Sequence, residues 1–69
     1  MIEVFSTNVD DAENANMLIS MIADHFPACN INFDLDDCDK ILRVEGNNFR
    51  PAKIVSLVKQ HGYHCSILD

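Results

Sequence analysis

At 69 residues the chain lies near the lower size at which a single hydrophobic core holds a fold without disulfides or a metal, so one domain spanning 1–69 is expected. An apolar fraction of 48% argues against disorder, while so small an interior leaves little room for the ~300 Å³ or more of a typical substrate cavity, which argues against an enzyme. Eleven acids against five Lys and Arg give a net charge of −6, a surface that repels phosphate backbones and anionic membranes and selects a basic protein surface or a cation.

In chain order, Ile2 to Ser6 reads as a first strand with Ile2 and Val4 on one face. From Ala12 the period changes: Ala15, Leu18, Ile19, Ile22 and Phe26 recur at helical spacing, which predicts an amphipathic helix to about His25, closed by Pro27. Asn30 to Leu35 alternates polar and apolar, a half-buried strand. Asp36-Asp37-Cys38-Asp39-Lys40 makes a polar turn, and Ile41 to Glu45 is the returning strand of a hairpin. Gly46-Asn47-Asn48 breaks the pattern, and Pro51 suits the first turn of a second helix whose inner stripe is Ile54, Leu57, Val58 and His61. Gly62 ends that helix, and Tyr63 to Leu68 is a fourth, edge strand. The order β-α-β-β-α-β predicts an α+β, ferredoxin-like fold: a four-stranded antiparallel sheet with two helices on one face.

Three cysteines make no disulfide framework, no basic segment with a long apolar run opens the chain, and no stretch approaches the ~20 apolar residues of a membrane span. A reducing, cytoplasmic setting is the expectation, with no nucleic-acid or membrane partner.

Phe5-Ser6-Thr7-Asn8-Val9 before a helix, Asp34-Leu35 before a hairpin, and His61-Gly62-Tyr63 before the last strand together resemble heavy-metal-associated domains, the modules of copper chaperones and metal-transporting ATPases. The likeness covers nearly the whole chain and implies the same βαββαβ fold. It implies a metal loop of pattern M-x-C-x-x-C at the mouth of the first helix, with a residue matching Tyr63 beside it. Here that loop is Val9-Asp10-Asp11-Ala12-Glu13-Asn14, with Asp11 and Asn14 at the cysteine positions. Soft monovalent copper selects sulfur, so the copper site is not carried over. The replacement reads instead as a capping box, with Asp10 as N-cap and Glu13 reaching back from the third helical position.

Cys29, Cys38, His61, His64 and Cys65 form neither a C-x-x-C pair nor zinc-finger spacing. His64 and Cys65 are strand neighbours and point to opposite faces, which makes Cys65 a small core residue. Asp34 to Asp39 lacks the glycine and flanking helices of a calcium loop and reads as a solvated turn. No phosphate loop, nucleophile elbow or acid–base pair is present. The topology nevertheless gathers Asp10, Asp11, Glu13, Asp36, Asp37 and Asp39 at one end, near His61 and Tyr63. The leading expectation is a non-enzymatic interaction module that docks a basic protein partner through this acidic end or through a sheet edge, with homodimerisation as a further option. The alternative is a mixed-ligand divalent metal site (zinc, nickel or divalent copper) drawn from Asp11, Asn14, Cys38, His61 and Tyr63, weak in affinity; no other cofactor is expected.

Overall fold

Two helices laid on one side of a four-stranded sheet account for each apolar period in the sequence. The computed structural model describes residues 1–68. In chain order the elements are β1 (Ile2–Thr7), α1 (Ala12–His25), β2 (Asn30–Asp34), β3 (Ile41–Glu45), α2 (Pro51–Gln60) and β4 (Cys65–Ile67). The sheet order is β2-β3-β1-β4, and every neighbouring pair is antiparallel, which is the α+β ferredoxin-like arrangement.

Register decides which residues meet the helices. Phe5 lies opposite Leu42, which in turn lies opposite Phe33, and Val44 lies opposite Ile31. Because side chains alternate across a strand, these five share the helix side, while Ile2, Val4, Asn32, Arg43 and Glu45 share the open side. On that open side Arg43 Nη1 donates to Asn32 Oδ1 at 3.4 Å.

The main core unites Phe5, Ile22, Leu42, Val44, Phe49, Ile54, Val58 and Cys65. Full burial of each larger aliphatic or aromatic side chain is worth about 1.5–3 kcal/mol against exposure, so this cluster carries the fold. The α1 stripe buries Ala15, Leu18 and Ile22 and leaves Ile19 and Phe26 half-buried. Phe26 closes α1, donating its N–H to Ile22 O at 2.8 Å before Pro27 stops the helix.

Several sequence expectations move by a residue or more. β1 runs on to Thr7, β2 stops at Asp34, and β4 is only Cys65–Ile67 rather than Tyr63 to Leu68. The shortening of β4 has a cause in the turn before it, where Gly62 and Tyr63 are committed to capping α2. His61 is not part of the inner stripe of α2: it is the exposed residue that follows the helix. Phe49 is buried between β3 and α2, although the break at Gly46-Asn47-Asn48 hid it from the periodic pattern.

Gly46 is required by a close approach. An added Cβ would stand 2.6 Å from Cys29 Sγ and 3.3 Å from Cys29 Cα, just beyond the Asn30–Glu45 pair that ends the β2–β3 ladder.

Candidate functional site

Three loops converge at the end of the sheet where β1 finishes. The β1–α1 loop is anchored by Thr7, which is buried. Its N–H donates to Asp39 O at 3.0 Å and its hydroxyl donates to Lys40 O at 2.6 Å. The same hydroxyl oxygen accepts the Val9 N–H at 3.2 Å, so one side chain clasps the β1–α1 loop to the β2–β3 turn. Such a buried hydroxyl is tolerated because both its donor and acceptor capacities are met.

Beneath this clasp sits a small apolar plug. Val9, Ala15 and Leu18 are buried together, and Phe33, Leu35, Met21 and Tyr63 pack against them. Val9 comes from the first loop, Leu35 from the turn and Tyr63 from the α2–β4 loop. All three loops therefore share one floor, and their polar residues are left on top of it.

At the start of α1 the cap is Asp11, with extended φ/ψ of −131° and 151°. Its Oδ1 accepts the Asn14 N–H at 2.7 Å, and its Oδ2 accepts from Asn14 Nδ2 at 2.9 Å. This corrects the expectation of Asp10 as N-cap with Glu13 reaching back: the cap lies one residue later, and both of its carboxylate oxygens accept from Asn14. Asp11 and Asn14 are thus bonded to each other. Asp10 and Glu13 are exposed beside them, at the positive end of the helix dipole.

The β2–β3 turn is held by its own side chains. Asp37 Oδ1 accepts the Asp39 N–H at 2.9 Å, and Lys40 N–H donates to Asp37 O at 3.0 Å. Lys40 adopts a left-handed φ of 48° and folds its Nζ back onto Leu35 O at 3.0 Å. Asp36, Asp37, Cys38 and Asp39 are all left exposed. One carboxylate oxygen each from Asp37 and Asp39 and the Cys38 Sγ lie within 4.8 Å of one another.

The third loop is a Schellman motif. Gly62 at φ 90° donates to Lys59 O at 3.0 Å, and Tyr63 N–H donates to Val58 O at 3.4 Å. Tyr63 also packs against the core cluster that contains Val58. His61 is exposed at the cap, and the His64 N–H donates to Asn8 Oδ1 at 2.8 Å, which ties this loop to the first.

The six acids are exposed at one end, Asp10 and Asp11 on the β1–α1 loop, Glu13 in the first turn of α1, and Asp36, Asp37 and Asp39 on the β2–β3 turn, two loops that the clasp and plug bring together. The named metal candidates divide. Asp11 pairs with Asn14, Cys38 stands with Asp37 and Asp39, and half-buried Tyr63 belongs to the apolar floor. Among the described residues, Asp11, Cys38 and His61 do not form a group of converging ligand atoms. Thr7 and Leu35 were missed from sequence; a hydroxyl at the end of an apolar strand and a single apolar residue before an acidic run were the available signals.

Away from this end, a shallow groove of about 220 Å³ runs along α2 beside the last turn of α1, lined by His25, Phe26, Lys53, Ser56, Leu57 and Gln60. It falls short of the ~300 Å³ at which small-molecule pockets begin. Burial pushes the Cys65 thiol up from 9.0 to about 11, partly opposed by the Lys59 charge. No helix among the described residues is long and apolar enough to cross a membrane.

Comparison with protein-family models, with curated proteins and with solved structures returned no match.

Proposed function

We propose that this protein is a non-enzymatic interaction module, a heavy-metal-associated-like frame without its thiolate pair, that docks a basic protein surface in the cytoplasm through its acidic end. One observation carries the reading: the β1–α1 loop, the first turn of α1 and the β2–β3 turn, fixed by Thr7, by a common apolar floor and by local caps, hold six exposed carboxylates at one end. A pre-ordered charged surface loses less entropy on binding than a mobile one, and clustered charge raises association rates toward an oppositely charged partner.

The acids are not equivalent. Asp11 and Asp37 accept backbone N–H groups and serve the fold, whereas Asp10, Glu13, Asp36 and Asp39 have no side-chain bond assigned to them in the loops described. Neutralising those four as Asp10→Asn, Glu13→Gln, Asp36→Asn and Asp39→Asn therefore removes docking charge and spares the caps. Affinity capture from cell extract, run at low and high salt with wild-type and neutralised bait, tests the proposal. Basic partners retained only by wild type at low salt support it, because exposed charges separated by more than the ~8 Å Debye length are screened at physiological salt. Capture that ignores both salt and neutralisation overturns it.

A second reading has a specific observation behind it, the convergence of Asp37, Cys38 and Asp39 within 4.8 Å. Two carboxylates and one thiolate suit a borderline divalent ion better than monovalent copper. This ligand set shares only Cys38 with the one drawn from Asp11, Asn14, Cys38, His61 and Tyr63. Calorimetric titration with zinc, nickel and divalent copper tests it: micromolar binding abolished by Cys38→Ser and unchanged by His61→Ala is the expected signature, and heats unaffected by Cys38→Ser refute it.

A further inference from the structure

We infer that the free edge of β4 is a self-association surface, at which two copies of the chain pair β4 to β4 in antiparallel fashion about a two-fold axis at Ser66. The inference is independent of the acidic end and begins with the distribution of exposed apolar residues. Among the described residues, four of the five large apolar side chains that stay exposed lie on β1, β4 and their flanks: Met1 at 55%, Ile2 at 56%, Ile67 at 44% and Leu68 at 41%. Half-buried Val4 lies between them, since Leu68 N–H donates to Val4 O at 2.8 Å and Ile2 shares the open face with Val4.

The ladder fixes the register such a pairing must have. Antiparallel partners alternate between pairs that exchange hydrogen bonds and pairs that do not. Val4 and Leu68 exchange, so Ser6 and Ser66 exchange two residues along. Cys65 and Ile67 then direct their N–H and C=O groups away from β1, toward the free edge. A two-fold at Ser66 sets Cys65 of each copy opposite Ile67 of the other, and both pairs exchange hydrogen bonds. Parity is therefore satisfied without any change in the protomer.

Side chains agree with this register. Ile67 faces the helix side of the sheet, where Cys65 is only 1% exposed, yet it remains 44% exposed because β4 is an edge strand with none of the described residues paired beyond it. In the pair, each Ile67 is covered by the other copy's strand. On the open face the axis falls between two serines, small enough for the strands to close, with Leu68 set against His64 of the second copy.

Charge selects a second copy as the occupant. A chain of net charge −6 resists self-association wherever its acids meet, but the paired residues His64, Cys65, Ser66, Ile67 and Leu68 include no carboxylate, the nearest acid in sequence being Asp69. β4 begins at the acidic end and runs away from it, so antiparallel pairing sends the two acidic ends to opposite extremities of the dimer. The other edge, β2, is guarded: Asn30, Asn32 and Asp34 line its open face, the polar decoration that edge strands use against pairing.

The test uses the full chain. Sedimentation equilibrium up to millimolar concentration is expected to give twice the chain mass. Ile67→Pro is expected to restore the single-chain mass, because its N–H faces outward and a proline there leaves the β1 ladder intact. Far-ultraviolet circular dichroism checks that this variant is folded. Independently, Ser66→Cys in a Cys38→Ser background is expected to form a covalent dimer on mild oxidation, since a non-exchanging antiparallel pair sets Cα atoms ~4.5 Å apart, within the ~4.4–6.8 Å a disulfide spans. Asn32→Cys in the same background is the control on the guarded edge. A single-chain mass at all concentrations, or cross-linking at Asn32→Cys equal to that at Ser66→Cys, overturns the inference and leaves the apolar edge to a different protein.

Discussion

Replacing Asp11 by alanine removes the two hydrogen bonds that start α1, and the cost follows from their geometry. Oδ1 holds the Asn14 N–H at 2.7 Å and Oδ2 holds Asn14 Nδ2 at 2.9 Å, both at an exposed site. Loss of an N-cap acceptor costs about 1 kcal/mol, and loss of its charge at the helix N-terminus adds about 0.3–1 kcal/mol. The sum, about 1–2 kcal/mol, is large against the roughly 3–10 kcal/mol expected for a domain of this length. It corresponds to a fall in Tm of about 7–14 °C. Asn14→Ala loses only the exposed side-chain bond and should cost a few tenths of a kcal/mol, while Asp10→Ala, outside the cap, should lie within about 0.5 kcal/mol of wild type. Urea melts at neutral pH measure all three. An Asp10→Ala cost equal to or above that of Asp11→Ala refutes the assignment. A rise in Tm on adding zinc that vanishes in Asp11→Ala would also refute it, because Asp11 would then be a ligand rather than a cap.

Gly62→Ala should destabilise by about 1–2 kcal/mol in thermal melts, because φ 90° penalises a Cβ even though open space surrounds it. Gly46→Ala should cost about 1–3 kcal/mol by driving into Cys29, and Cys29→Ala should recover part of that loss by removing the sulfur 2.6 Å away, a coupling that a double-mutant cycle reads directly. For Cys65 the folded thiol is raised to about 11 from 9.0, so its contribution is whole below pH 9 and fades as pH climbs to 11, where only the unfolded chain has already ionised. Stability should fall by roughly 2–3 kcal/mol across that window in wild type, and less in Cys65→Ala. Below pH 9, a thiol reagent should label exposed Cys38 quickly and Cys65 only on unfolding.

The fold was legible because its signals are local and redundant. A period-two run from Asn30 to Leu35, the returning strand Ile41 to Glu45 after a polar turn, a 3.6-period stripe through Ala15, Leu18 and Ile22, and terminators at Pro27 and Gly62 fix element type without reference to partners. Position along an element was less legible. Asp10 and Asp11 are chemically alike, and only the backbone decides which has the extended φ/ψ of a cap. Tyr63 alternates correctly for a strand, yet its N–H is spent on Val58 O, which delays β4 by two residues. Thr7 was hidden because its partners, the carbonyls of Asp39 and Lys40, are backbone atoms that carry no residue-type signal.

The acidic end and the β4 edge place different demands on the same strands, and the topology keeps them apart. Caps at Asp11 and Asp37 consume carboxylates that would otherwise repel one another freely, so the end is charged but ordered. The clasp at Thr7 ties the β2–β3 turn to the last residue of β1, and β1 in turn carries β4 on its other side. A dimer joined at Ser66 would hold two such ends apart on one rigid eight-stranded sheet. Each weak electrostatic contact would then be backed by a second at fixed distance, raising effective concentration for any partner with two basic patches. Removing the dimer with Ile67→Pro should therefore weaken capture of a bivalent partner more than that of a monovalent one, while neutralising Asp10, Glu13, Asp36 and Asp39 should weaken both alike.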